Sequence, residues 1–199
     1  MLELIVIIAV LLVDQITKIV AADILPTLGG SVSVIEGVFN FTYVKNTGAA
    51  FGMLKDNTVI LAGVSVIATA LIAYLLITQR KRKPVPMPVL MRIAVSLLLA
   101  GAVGNLMDRV VLGYVRDMLD FVLIGFAVFN VADSAVCVGA ALLVVAGVFT
   151  KGGKSYIASL EEAEKESAKR KKKAKQGECA CGRCARHDEE TRDDCEEDW

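Results

Sequence analysis

Four apolar runs of about twenty residues constrain this chain more than any other feature: roughly Leu2 to Ala21, Val59 to Gln79, Val89 to Met107 and Asn130 to Thr150. An α-helix rises about 1.5 Å per residue and a bilayer's hydrocarbon core is about 30 Å thick, so each run matches one membrane crossing. A soluble globule gathers its apolar atoms into one core and has no use for four such stretches. With 55% hydrophobic residues and a mean hydropathy of +0.56, the chain is also neither disordered nor collagen-like. The first run starts close to Met1, where a cleaved signal peptide is the rival reading. No basic residue precedes it, and Asp14, Gln15 and Lys18 fall where a signal sequence is plainly apolar, so it is read as a span.

Arg80, Lys81, Arg82 and Lys83, with Arg92 beyond them, crowd the second connection, and the chain after Lys151 is basic again through Lys175. The positive-inside rule makes both regions cytoplasmic. Both termini then lie inside, and two segments lie outside: a long one from about Asp23 to Thr58 and a short one from about Asp108 to Phe129. The long segment turns at Pro26 and Gly29-Gly30 and then alternates at Val32, Val34, Phe39, Phe41 and Tyr43, the period of short strands, which predicts a small sheet on the membrane surface. Lys45 to Gly52 is too rich in small residues for either regular structure and reads as a segment placed against something.

The formal net charge of zero conceals two different materials. Residues 1–150 hold 10 Lys/Arg and 9 Asp/Glu, and residues 151–199 hold 12 and 13. The expected organisation is a four-span membrane domain over 1–150 and a charged cytoplasmic tail over 151–199, with nothing that suggests a nucleic-acid partner. Glu161 to Lys175 is predicted to form a charged helix whose basic run, Lys169 to Lys175, suits anionic lipid. Cys137 falls in the fourth span and reads as a small packing residue. Cys179, Cys181, Cys184 and His187 are spaced as CxCxxCxxH, which can hold Zn²⁺; the other reading is a solvated tail whose thiols stay reduced.

Ionisable residues within or at the rim of the spans carry the chemistry, because each is costly there unless it is paired or wetted. Asp14 and Lys18 share one helix face, either as an orienting ion pair or as the prop of an interior site. Asn105 and Asp108 share another face, with Arg109 beside them; the plainer reading is a helix end at the water interface. Asp117 and Asp120 follow. Asp133 lies about one turn inside the outer rim, flanked by apolar residues. Asp117 leads into that rim, so its carboxyl and that of Asp133 can meet at the outer surface. Two adjacent carboxyls do not both ionise readily: one keeps a proton while the other can take one from water, which is the equipment of an aspartyl protease. His187 is the only histidine and lies in the tail, so no His-based zinc site or Ser-His-Asp triad can form in the spans. No nucleotide-binding loop is present, and no cofactor is expected.

These residues fall in four ordered motifs that resemble the lipoprotein signal peptidase family, signal peptidase II. They are Val13-Asp14-Gln15-Ile16-Thr17-Lys18, Asn46-Thr47-Gly48-Ala49-Ala50-Phe51-Gly52, Gly104-Asn105-Leu106-Met107-Asp108-Arg109 and Phe129-Asn130-Val131-Ala132-Asp133. The resemblance implies an all-α integral membrane protein with four transmembrane helices, a small extracytoplasmic β-cradle and a surface helix. It also implies a protease of the bacterial cytoplasmic membrane that cuts diacylglyceryl-modified prolipoproteins before the lipidated Cys, with its site at the outer face. By the same resemblance Asp117 and Asp133 are the catalytic pair. Asn46, Gly48, Asn105, Asp108, Arg109 and Asn130 support the substrate and the rim, and Asp14 and Lys18 brace the site. The family's usual V-V-D-F departs here to Val115-Arg116-Asp117-Met118, and Asp120-Phe121 makes Asp120 a competitor for Asp117.

Two other classes stay open on the sequence, a small ion- or proton-coupled transporter and a membrane adaptor acting through its tail. The acidic residues gather at one rim and no internal repeat is visible, which favours the protease over a transporter built on midplane relays.

Overall fold

The computed structural model describes residues 1–48, 58–80 and 85–184, without the side chains of 58, 80 and 173–184. Among the described residues four helices are long and apolar enough to cross a membrane: α1 (Leu2–Ile24), α2 (Thr58–Arg80), α3 (Val89–Leu112) and α4 (Val131–Phe149). Helix α3 is central and packs against the other three. Many large apolar side chains on the spans face outward, among them Ile5, Ile8, Leu12, Val64, Ile67 and Val144, as expected of surfaces solvated by lipid.

Helix α1 gives way to a one-turn 3-10 helix at Leu25–Leu28, opened by Pro26 and closed by Gly29 at φ +86°. Strands β1 (Ser31–Ile35) and β2 (Phe39–Asn46) follow as the alternation predicts, paired antiparallel with Val32 opposite Phe41. The third strand, β3 (Val115–Asp120), comes from the short outer segment, where no clean apolar alternation predicts one. It completes a sheet of order β1-β2-β3 and sets Val44 opposite Asp117 and Lys45 opposite Arg116. Met118 on β3 packs onto Ala21 and Leu25 at the end of α1, which seats the sheet on the bundle.

Two boundaries differ from expectation. Helix α3 continues past Met107 to Leu112 and stops where Gly113 turns left-handed at φ +80°. Asp108 therefore lies inside the helix, 1% exposed, rather than opening an outer segment. At the other end, the charged helix begins at Lys151, ten residues before Glu161, and runs through Gly152-Gly153. Thr150 adopts an extended conformation after α4, its hydroxyl accepts the Gly153 N–H at 3.0 Å, and α5 runs Lys151–Cys184. A Cβ at position 153 would collide with the Ala146 carbonyl, so the glycine permits this close turn.

The chain divides into two compact units, Met1–Tyr156 and Ile157–Trp199. Beside the sheet, the described residues hold two one-turn 3-10 helices, Leu25–Leu28 and Val122–Ile124. Ala49 to Gly52, the end of the second motif, lies outside the described residues.

Candidate active site

The site is assembled where α4 begins. Asn130 is the N-cap of α4, and a reciprocal capping box joins it to Asp133: the Asp133 N–H donates to Asn130 Oδ1 (2.9 Å), and the Asn130 N–H donates to Asp133 Oδ2 (3.2 Å). Asp14 of α1 accepts the Ala132 N–H at 2.9 Å, so a second free amide of the same helix start is satisfied by a carboxylate, favoured there by the helix dipole. The backbone of Phe129 pairs with that of Leu119 in both directions, at 2.8 and 3.0 Å. That bridge carries the start of α4 to β3 and so brings Asn130 beside Asp117.

Asp117 is 1% exposed. Asn130 Nδ2 donates to its Oδ1 at 2.6 Å, and Asn46 Nδ2 donates to its Oδ2 at 2.8 Å. The Gly48 N–H holds Asn46 Oδ1 at 3.0 Å, which orients the Asn46 amide with its donor toward the carboxylate. Burial pushes the Asp117 carboxyl up to about 6; the charge of nearby Asp133 adds to this, and the Asn46 and Asn130 amides oppose it.

Asn105 completes the framework from α3. Its Nδ2 donates to Asp133 Oδ1 at 2.7 Å, and its Oδ1 accepts from Lys18 Nζ (3.0 Å) and Asn130 Nδ2 (3.1 Å). Lys18 is fully buried, paired with Asp14 Oδ2 at 2.9 Å and with Asp108 Oδ2 at 3.6 Å. Gly104 makes room for this pair: a Cβ there would lie 2.7 Å from Asp14 Oδ2. Asp117, Asp133, Asn46 and Arg109 share one cleft of about 510 Å³, walled by Phe126 to Phe129 and by Ser134, Val136, Cys137 and Val138 of α4. Amides that both donate and accept, such as that of Asn46 on the cleft lining, suit the backbone of a peptide.

The structure thus brings together the ten residues that the family resemblance implies for the site. Asp120 stands apart: it accepts a hydrogen bond from the Thr42 hydroxyl at 2.9 Å and pairs with Asn40 on the sheet, away from the cleft lining. Three polar residues here had no assigned role. Gln15 bridges Asp14 and the Gly104 carbonyl, Arg116 binds Asp108 and Gln15, and Ser65 of α2 accepts from Arg109 at 3.5 Å. Reading Val115 to Met118 as a strand would have found Arg116, since period-two alternation turns it away from Asp117 toward the spans. The side chains of Cys179, Cys181 and Cys184, and all of His187, lie outside what the structure describes. No metal-binding cluster of three His, Cys, Asp or Glu exists among the described residues.

Residues 6–149 match the family model described as signal peptidase (SPase) II. The chain belongs to the signal peptidase II family. It is 43% identical over 144 residues to the lipoprotein signal peptidase of Caldanaerobacter subterraneus subsp. tengcongensis, a match covering 72% of this chain and 93% of that one. To the lipoprotein signal peptidase of Symbiobacterium thermophilum it is 41% identical over 145 residues, covering 72% and 91%. A bacterial membrane enzyme solved by the in meso method at 1.9 Å superposes with a TM-score of 0.63 at 32% identity, over 75% of this chain and 94% of that chain. This member of the family is a multi-pass bacterial membrane protein, and it shares its fold with that membrane enzyme.

Proposed function

We propose that this chain removes signal peptides from diacylglyceryl-modified prolipoproteins, cutting before the lipidated Cys with Asp117 and Asp133 as the catalytic pair. The observation that carries the reading is that the two carboxyls line one cleft and are both bound by Asn130. The pair shares one proton. Its charged member takes a proton from water as the oxygen attacks the scissile carbonyl, and its protonated member gives a proton to the carbonyl oxygen. On collapse the C–N bond breaks, the leaving nitrogen receives a proton from one carboxyl, and a hydroxyl of the gem-diol returns a proton to the other, so the dyad again holds one. Arg109 and Asn46, at the cleft wall, hold the substrate backbone; Asp14, Lys18, Asn105 and Asp108 hold the strand and the helix that carry the pair.

The basic residues Arg80 to Lys83 in the sequence and the basic chain after Lys151 support an orientation with the cleft at the outer membrane face. A lipidated substrate reaches it laterally, its acyl chains in the bilayer contributing about 0.8 kcal/mol per CH₂. Membership of a peptidase family, rather than the geometry alone, weighs against the transporter and adaptor readings.

The test is cleavage of a purified diacylglyceryl-prolipoprotein in detergent by wild type, Asp117→Asn, Asp120→Asn and Asp133→Asn, with thermal unfolding in parallel. Folded but inactive Asp117→Asn and Asp133→Asn, with active Asp120→Asn, is the expected result. An inactive Asp120→Asn beside an active Asp117→Asn would sink the pairing, and an inactive wild type would sink the activity.

A further inference from the structure

Arg116 lies next to Asp117 on β3 but points the other way, because successive strand residues face opposite sides of a sheet. Its Nη2 donates to Asp108 Oδ1 at 2.7 Å, and its Nε and backbone N–H both donate to Asp108 Oδ2, at 3.1 and 3.0 Å. The same Nη2 is 2.9 Å from Gln15 Oε1, and Gln15 Nε2 in turn reaches Asp14 Oδ2 at 3.0 Å. One side chain therefore fastens β3 to both α3 and α1. Lys45, directly opposite on β2, does not compete for Asp108, since its ammonium sits over the Tyr114 ring, 5.2 Å from the centroid.

The contacts form two routes to the carboxyls in the cleft. The first is the strand itself: holding Arg116 holds the backbone of Asp117. The second runs through Lys18, whose Nζ is 2.9 Å from Asp14 and 3.0 Å from Asn105 but 3.6 Å from Asp108. Because the Arg116 fork neutralises Asp108, Lys18 is left to orient the Asn105 amide, which donates to Asp133. Without the guanidinium, Lys18 would be the only cation ion-paired with either Asp14 or Asp108 among the described residues. The pull of Asp108 would then draw Nζ from Asn105. We infer that Arg116 is a positioning residue for the dyad, holding Asp117 through their shared strand and Asp133 through Asp108, Lys18 and Asn105. The inference rests on the reading of Asp117 and Asp133 given above.

It is tested by kcat and KM on a diacylglyceryl-prolipoprotein for wild type, Arg116→Met and Arg116→Lys in detergent, each with its Tm. Arg116→Met keeps the apolar stem and loses the fork. It is expected to lower kcat about tenfold or more, with KM within about twofold of wild type and a loss that exceeds any fall in the folded fraction. Arg116→Lys restores the charge without the bidentate geometry and is expected about threefold below wild type. Adding Asp108→Asn to Arg116→Met should cost less than the same change in wild type, because Arg116 acts through Asp108. Wild-type kcat in Arg116→Met, or a loss confined to KM or proportional to unfolding, overturns the inference. Should Arg116→Met fail to fold, wild-type kcat in Arg116→Lys overturns it instead. An inactive wild type overturns the peptidase reading itself, an outcome distinct from all of these.

Discussion

Asn130 Nδ2 lies 2.6 Å from Asp117 Oδ1, while the backbone N–H and Oδ1 of the same Asn130 bind Asp133. One residue thus serves as helix cap for one carboxylate and amide donor for the other. The two duties separate by substitution. Asn130→Ser retains a capping oxygen and loses the donor, whereas Asn130→Ala loses both. Both variants should lose at least about 100-fold in kcat. Only Asn130→Ala should lose a further ~1 kcal/mol in unfolding free energy, read by chemical denaturation in detergent.

Because burial raises Asp117 to about 6, the folded chain holds that proton in a range where the unfolded chain, titrating near 4, has already released it. Between about pH 4 and 6 the native state therefore binds more protons at this residue, and its contribution to stability falls as pH rises. Asp117→Asn removes that dependence. The difference in Tm between wild type and Asp117→Asn should be most favourable to wild type near pH 4 and should shrink or reverse by pH 7. A flat difference across that range would contradict the raised value.

Gly104→Ala places a methyl 2.7 Å from Asp14 Oδ2 and 3.2 Å from the Ala132 Cβ, where neither neighbour can retreat: Asp14 is fixed by Lys18 and by the Ala132 N–H. A loss of about 1–3 kcal/mol in stability is expected. Gly63 is the control, since a Cβ there meets nothing within 4 Å, and Gly63→Ala should unfold at or slightly above the wild-type Tm.

Truncation tests the tail. Tyr156 is buried and its hydroxyl donates to Gln79 Oε1 at 3.1 Å, so the first turns of α5 belong with the spans. Residues 1–156 should cleave prolipoprotein with wild-type kcat, and removal of residues 151–156 as well should lower Tm by loosening the ends of α2 and α4. An inactive but folded 1–156 would assign the tail a part in the reaction.

The four spans were legible because a twenty-residue apolar run has one economical use, and β1 and β2 because Val32 to Tyr43 alternate cleanly. Strand β3 was not legible: Arg116, Asp117 and Asp120 break the apolar pattern, and they do so because this strand carries the site. The last turn of α3 was hidden for a related reason. Asp108 looks like a boundary to any local reading, and only Lys18, 90 residues earlier, and Arg116, across a turn, make its burial tolerable. The motifs named the residues that meet; Gln15 to Arg116, separated by 101 positions, is a contact that no local pattern announces.

The two-way backbone pairing of Leu119 with Phe129 closes off the chain between them as a lariat. Asp117, Asn130 and Asp133 lie outside the knot, while Phe126, Ala127 and Val128, inside it, form one wall of the cleft. Lengthening, shortening or exchanging the lariat therefore reshapes what the cleft admits without altering the spacing of the carboxyls, so that substrate range and bond-breaking chemistry can drift independently in this scaffold.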